Sequence, residues 1–209
     1  IEAFGYMLQL VQPAMGEATS WFKPTLLGQT DPQLALLPYW LGASFLRWAP
    51  AGWEDVFARL PFVAMLGLTL AATWYAVYAL ARHPAAQPVA FAFGGEAKPG
   101  DYARALADGG LLALLACLGL ARLAHEATPA LSQLCFASLI FAGLATLPRW
   151  RVYCGLALGM GMLGLTLSGA PSVALWLGVG GSLIRAVANH DPALGRMRML
   201  DLGLLALLC

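Results

Sequence analysis

The chain has 209 residues, of which 60% are apolar and 11% are charged. An ordinary soluble domain is about 45–50% apolar and about 25% charged, so this composition excludes a typical soluble enzyme and a disordered chain. The formal net charge of +1 gives no excess of positive charge that would favour binding to nucleic acid. We therefore predict an all-α membrane protein, a polytopic transmembrane helix bundle with interfacial helices in its first external loop.

The first 59 residues are predicted to form that external loop. Residues 2–12 fit a short helix whose single apolar face is too narrow for a membrane span. Residues 34–48 are apolar but only 15 in number, and they contain Pro38 and Arg47 among aromatic side chains. Because a spanning helix needs about 20 residues, this segment is expected to lie along the membrane interface. The apolar face of the first helix holds Phe4, Met7, Leu8 and Val11.

Residues 60–209 are predicted to form the transmembrane bundle. The clearest span lies near residues 60–82 and contains 22 consecutive uncharged residues. Residues 83–107 form a polar loop rich in proline and glycine, in which residues 101–108 fit a short amphipathic helix. The other spans are expected near residues 109–124, 130–147, 152–168, 172–187 and 199–209. The last of them is too short to cross a membrane, so the sequence is expected to be a piece of a longer chain.

The positive charges orient these spans. If residues 83–107 face the cytoplasm, eight Arg and Lys side chains lie on the cytoplasmic side and four on the opposite side. This distribution agrees with the positive-inside rule. It places residues 1–59, the 122–129 loop and the 168–171 turn outside. We therefore expect a multi-pass membrane protein with these segments on its outer side.

The external segments hold the polar side chains that can carry chemistry. A carboxylate at the outer mouth of a bundle can act as a general base or bind a cation, and an Arg or Lys there can hold a phosphate. A structural interpretation stays open beside this one. Arg122 and Glu126 fit an i, i+4 pair at a helix end, His125 fits a polar residue of the interface, and Arg59 fits an anchor at the lipid headgroups.

The sequence offers no recognisable metal or nucleotide motif. The four cysteines lie in apolar runs without CxxC spacing, so no metal ligand set is predicted. A P-loop, a GxSxG elbow and an HExxH helix are also absent from the sequence. Any chemistry is therefore expected to come from the external carboxylates and cations.

Three short motifs follow one another in the segment 38–82. They are Tyr39-Trp40-Leu41-Gly42, Ala58-Arg59-Leu60-Pro61 and the basic Arg82 that ends the first span. In this order and spacing they resemble the membrane glycosyltransferases of the protein O-mannosyltransferase and lipid A aminoarabinose transferase type, glycosyltransferase family 39 and its relatives. The later pair His125-Glu126 resembles the acidic tip of a hairpin in that family. The similarity covers roughly residues 1–150.

This resemblance implies a multi-pass protein of a bacterial-type inner (plasma) membrane, with its active side external (periplasmic). The implied activity transfers a sugar from a polyprenyl-phosphate carrier to an external lipid, glycan or protein acceptor. In the family an external carboxylate activates the acceptor and basic residues hold the carrier phosphate. By this resemblance Glu2 and Glu126 are the candidate catalytic carboxylates. The candidate substrate-binding residues are Arg59, Lys23, Arg47, His125, Tyr39 and Trp40. No cofactor is assigned, although a divalent cation is compatible with such a site.

The sequence departs from the family at the turn before Tyr39. The family has Lys-Pro-Pro there, whereas this chain has Leu34-Ala35-Leu36, so Lys23 or Arg47 is the candidate substitute for the phosphate-binding lysine. Two other function classes stay open: a non-catalytic membrane subunit or scaffold on the same fold, and a transporter. The predicted spans contain no charge in their middle, which counts against the transporter.

Overall fold

The computed structural model describes residues 2–12, 21–26, 29–31, 35–88, 97–117, 119, 127–146 and 151–188. Of these residues 79% are helical, which confirms the all-α class. The described strands are β1 (Thr25–Leu26) and β2 (Gln29–Thr30), which pair antiparallel. The first six long helices are α1 (Glu2–Val11), α2 (Leu36–Leu46), α3 (Glu54–Ala81), α4 (Pro99–Leu115), α5 (Pro129–Thr146) and α6 (Arg151–Leu167). A seventh, α7, joins Pro171–Leu175, a π-helical turn Trp176–Gly180 and Gly181–Ala188.

Helix α3 is the central element, and it packs against α2, α4 and α5. It begins at Glu54, ahead of the predicted span, because Gly52 turns the chain with a φ of 86° and two acidic side chains occupy the first helical turn. Its 28 residues give a length of about 42 Å at 1.5 Å per residue. The helix is therefore longer than the hydrocarbon core of a bilayer.

Two of the described helices, α3 and α5, are long and apolar enough to cross a membrane. They correspond to the spans predicted near residues 60–82 and 130–147. Helix α6 and most of α7 are also apolar but have fewer than 18 apolar residues, and they correspond to the spans predicted near 152–168 and 172–187. The span predicted at 199–209 lies outside the described residues.

Helix α4 differs from the sequence prediction. A short helix over 101–108 and a separate span from residue 109 were expected, but one helix runs from Pro99 to Leu115 through Gly109 and Gly110. Gly110 lies against α3, where an added Cβ would sit 3.4 Å from Val77 Cγ2. That distance is an ordinary van der Waals contact, so the helix continues through the glycine pair because packing on α3 offsets the low helix propensity of glycine.

Helix α1 turns most of its predicted apolar face inward, since Met7 is buried and Phe4 and Val11 pack against the same core. It buries Tyr6, Met7 and Leu10, whereas Leu8 is 38% exposed. Met7 fits against Gly42 of α2, where an added Cβ would clash with its side chain. The prediction was wrong for Leu8 and left out Tyr6, whose ring stacks on a tyrosine of α2.

Helices α5 and α6 pack closely through glycines of α6. A Cβ at Gly161 would lie 2.6 Å from Ile140 Cγ1 and 3.0 Å from the carbonyl oxygen of Phe136. A Cβ at Gly164 would run into the Phe136 ring. Small residues at these positions let the two helices approach, as is typical of helix pairs in membranes.

The tight turn predicted between the fourth and fifth spans joins α6 to α7. Gly169 adopts a φ of 84°, and its N–H donates to Thr166 O. The N–H of Ala170 donates to Leu165 O, which completes a Schellman motif. Pro171 then starts the next helix at a position where its missing N–H costs nothing.

The close packing of α6 yields a prediction about stability. Gly161→Ala should lower the free energy of unfolding by about 1–3 kcal/mol, because backbone of α5 blocks the new methyl group. Gly67→Ala is the matched control, since Gly67 is a glycine of α3 with open space around its Cβ position. Unfolding in mixed micelles would measure both variants. Equal effects of the two substitutions would contradict the packing assignment.

Candidate functional site

Helix α1, the β1–β2 hairpin and α2 together form a unit that we call the cap. Its buried core joins Tyr6, Met7 and Tyr39 to Phe62 near the start of α3 and Leu131 near the start of α5. Helices α3 and α5 pack against each other, and residues near the start of both helices belong to this one core. The cap therefore covers one end of the α3–α5 pair, the end at which Glu54 and Pro129 begin their helices.

A buried carboxylate lies at the centre of the cap. Asp31 is only 7% exposed, and its Oδ2 accepts a hydrogen bond from the backbone N–H of Ala35 at 3.1 Å, directly before α2. The Tyr39 hydroxyl donates a second hydrogen bond to Asp31. Burial, and then the negative charge of Asp31, raise the pKa of Tyr39 well above its usual value. Asp31 therefore holds the hairpin to the first turns of α2.

Two tyrosines stack beside this carboxylate. The rings of Tyr6 and Tyr39 lie 5.1 Å apart, with an interplanar angle of 27°. Tyr39 is 3% exposed, so this predicted substrate-binding residue packs inside the cap in the structure. Neither Asp31 nor Tyr6 was among the candidate site residues predicted from the sequence. The available signal was an acidic residue shortly before an apolar helix, a position typical of helix N-termini.

Glu2, the predicted catalytic carboxylate, lies exposed in the first turn of α1. After burial and the charge of Asp31, the Glu2 charge is the next cause that raises the pKa of Tyr6. It also contributes to the raised pKa of Tyr39. The cap thus carries one exposed and one buried carboxylate, and both act on the same tyrosine pair.

An aromatic and cationic surface lies on the cap around Trp40. The Trp40 Nε1–H donates to Trp21 O at 2.6 Å, and Phe22 meets the Trp40 ring edge-on at 6.0 Å. The Arg47 guanidinium lies over the Trp21 ring at 6.0 Å from its centroid. Lys23 is exposed and follows Phe22 in the chain. The structure therefore gathers three of the predicted substrate-binding residues, Trp40, Arg47 and Lys23, in one region of the cap.

Arg59 lies on the second turn of α3 and is engaged locally. Its Nη2 is 3.0 Å from Asp55 Oδ2, and the two side chains are 53% and 65% exposed. A pair so exposed contributes little to stability, about 0–1 kcal/mol. The guanidinium can therefore exchange this partner for another anion at a small cost.

The predicted hairpin tip with His125 and Glu126 lies outside the described residues. Ala127, which follows Glu126 in the chain, packs against the buried core of the cap. In the part of the chain that the structure describes, no group of three His, Cys, Asp or Glu side chains is placed to hold a metal ion. The described residues with charge at this end are therefore Glu2, Asp31, Lys23, Arg47 and the acidic and basic residues of the first turns of α3.

The chain was compared with known proteins at the level of sequence and of fold. Comparison with family models, with curated proteins and with solved structures found no match. The motifs at Tyr39–Gly42 and Ala58–Pro61 therefore remain the basis of the resemblance to glycosyltransferase family 39, and that resemblance stays a prediction.

The Asp31 contacts generate a prediction about the stability of the cap. Asp31→Ala should lower the free energy of unfolding by about 1–3 kcal/mol, because it leaves a buried hydroxyl and a backbone N–H without an acceptor. Asp55→Ala, which removes only an exposed pair, should cost less than about 1 kcal/mol. Limited proteolysis of α1 and α2 would report the loosened cap. An Asp31 variant as resistant as the Asp55 variant would contradict this role.

The same variant has an expected pH signature. The pKa of Tyr39 is raised in the folded protein. Its contribution to the free energy of unfolding is therefore fully present below the ordinary tyrosine pKa of 10.0 and is lost as the pH rises through the folded pKa. Phenolate absorbance should therefore show a tyrosine that ionises late in the parent protein. In Asp31→Ala that tyrosine should ionise at lower pH.

Proposed function

We propose that this chain is part of a polytopic inner-membrane glycosyltransferase that moves a sugar from a polyprenyl-phosphate carrier to an external acceptor. The observation that carries the proposal is the cap, which puts an exposed carboxylate and exposed cations at one end of two helices of membrane length. General-base chemistry needs such a carboxylate, and a lipid phosphate needs such cations. The motifs shared with glycosyltransferase family 39 add the substrate class.

Aromatic residues near both ends of α3 support the membrane part of the proposal. Trp53 precedes the helix, while Trp74, Tyr75 and Tyr78 lie in its last two turns. The uncharged run between Arg59 and Arg82 is about 33 Å long at 1.5 Å per residue, close to the hydrocarbon thickness of a typical bilayer. Aromatic belts near the two ends of such a run are typical of a transmembrane helix.

Exposed apolar side chains between these belts point to a lipid-facing surface. Val63 is 59% exposed and Leu68 is 44% exposed on α3. Helix α6 exposes a stripe of four side chains at helical spacing, each 61–78% exposed. The members of that stripe are Val152, Leu156, Met160 and Leu163. A soluble monomer rarely exposes so much apolar surface, so α6 and α7 are proposed as further spans beside α3 and α5.

The roles of the individual residues follow from their surroundings. Glu2 is exposed and can approach an acceptor hydroxyl, so it is the proposed general base. Arg47 and Lys23 lie on the aromatic surface of the cap and are the proposed phosphate ligands, with Arg59 able to join them by releasing Asp55. Asp31 is buried and hydrogen-bonded, so it acts as a positioning residue for α2.

The second candidate is a non-catalytic membrane subunit or scaffold on the same fold. One specific observation favours it. Two of the residues that the resemblance assigns to substrate make structural contacts instead, since Tyr39 is buried on Tyr6 and Trp40 binds the backbone of Trp21. A transporter stays a third alternative, without a described charge in the middle of α3 or α5 to support it.

Sugar transfer by the full-length protein tests the enzyme proposal. Glu2→Gln should lower turnover by about 100-fold or more, because removing a general base typically costs 10²–10⁴ in rate. Glu54→Gln is the matched control, since Glu54 also lies in the first turn of a helix at the same end of the molecule. Normal turnover of a folded Glu2→Gln protein would contradict the assignment of the base. Absence of transfer by the parent protein with every polyprenyl donor would favour the scaffold.

A further inference from the structure

An open apolar groove of about 550 Å³ lies among α3, α4, α5 and α6. Its walls include Leu68 and Ala71 of α3, Leu111 of α4, Leu139 of α5 and Tyr153 of α6. A volume of this size is in the range of small-molecule sites, about 300–1,000 Å³. The groove lies at the Ala81 half of α3, away from the cap, so it is separate from the candidate site for sugar transfer.

A row of side chains leads from this groove to the end of α3. Trp74 forms part of the groove wall, and its ring stacks on Tyr78 at 5.2 Å with an interplanar angle of 8°. The Arg82 guanidinium lies 5.7 Å from the centre of the Tyr78 ring. These residues are spaced i, i+4 and i+8, so they form one line along the helix. The line ends in an exposed cation.

Asp108 of α4 fixes the first member of this row. Trp74 Nε1–H donates to Asp108 Oδ1 at 2.8 Å, which ties the indole to the neighbouring helix. Tyr75 meets Tyr153 edge-on at 6.2 Å on the groove wall. The aromatic walls are therefore held in place by contacts between three helices.

We propose that this groove binds one glycerophospholipid, with a hydrocarbon chain in the groove and the phosphate at Arg82. The order of the parts matches a lipid: the apolar groove lies deeper along α3, the aromatic pair follows, and the cation lies at the helix end. A guanidinium is a strong donor to phosphate oxygens, and aromatic rings favour the level of the headgroups. The inference rests on the membrane embedding in the proposed function and is independent of sugar transfer.

Lipid binding to the purified protein in detergent, followed by native mass spectrometry, tests the site. The probes are a phosphatidylethanolamine and the diacylglycerol with the same two chains. The parent protein should bind one phospholipid, and about tenfold more tightly than the diacylglycerol, because a charged hydrogen bond is worth about that factor. Arg82→Gln should reduce phospholipid binding to the level of the diacylglycerol.

A pair of matched variants tests the groove itself. Ala71→Trp should fill the groove and remove the first bound phospholipid. Ala64→Trp should leave binding unchanged, because Ala64 is also exposed on α3 but lies outside the groove wall. Equal binding to the two variants, or unchanged binding to Arg82→Gln, would overturn the proposal. The proposal would also be overturned if Ala71→Trp changed the oligomeric state of the protein without loss of bound lipid. That result would assign the groove to a second copy of the chain.

These measurements use no sugar donor, so they separate the two proposals. If the parent protein transfers sugar but both tryptophan variants bind phospholipid equally well, the proposed function is retained and the lipid site is lost. A protein that binds phospholipid in the groove without transferring sugar would retain the lipid site and favour the scaffold.

Discussion

The arrangement of the whole chain depends on the apolar length of α3. This helix carries an uncharged run from Leu60 to Ala81, about 33 Å long at 1.5 Å per residue, so each end has a fixed place relative to a bilayer. The cap packs on its Glu54 end, and the groove with its aromatic row lies toward its Ala81 end. If α3 spans the membrane, the polar groups of the cap meet one surface and Arg82 meets the other.

The cap shows how a small buried polar group organises a surface. Asp31 accepts hydrogen bonds from the backbone before α2 and from Tyr39, and Tyr39 stacks on Tyr6 of α1. A buried carboxylate without such partners would cost several kcal/mol, so the three elements that satisfy it are held together. The packed cap thereby holds Glu2 and the cations around Trp21 in defined positions. A site for an acceptor and a phosphate requires such preorganisation.

Much of the fold could be predicted from the sequence, because apolar length and turn residues are local signals. The helices α3 and α5 and the turn at Gly169 follow from uncharged runs and from a glycine before a proline. The rest depends on contacts between distant residues. Helix α4 continues through its two glycines because it packs along α3, and Tyr6 of α1 turns inward because its ring stacks on a ring of α2. Asp31 was missed for the same reason, since its partner Tyr39 lies on the next element.

The most direct test of this account is the depth of α3 in a bilayer. Spin labels at exposed positions of α3, in the protein reconstituted into vesicles, would report collisions with oxygen and with a water-soluble nickel chelate. The account predicts that oxygen collisions dominate at Val63 and Gly67, and that the nickel chelate gains access toward Val56 and toward Leu80. Free access of the nickel chelate to Val63 and Gly67 would contradict a transmembrane α3 and, with it, the proposed roles of the cap and of the groove.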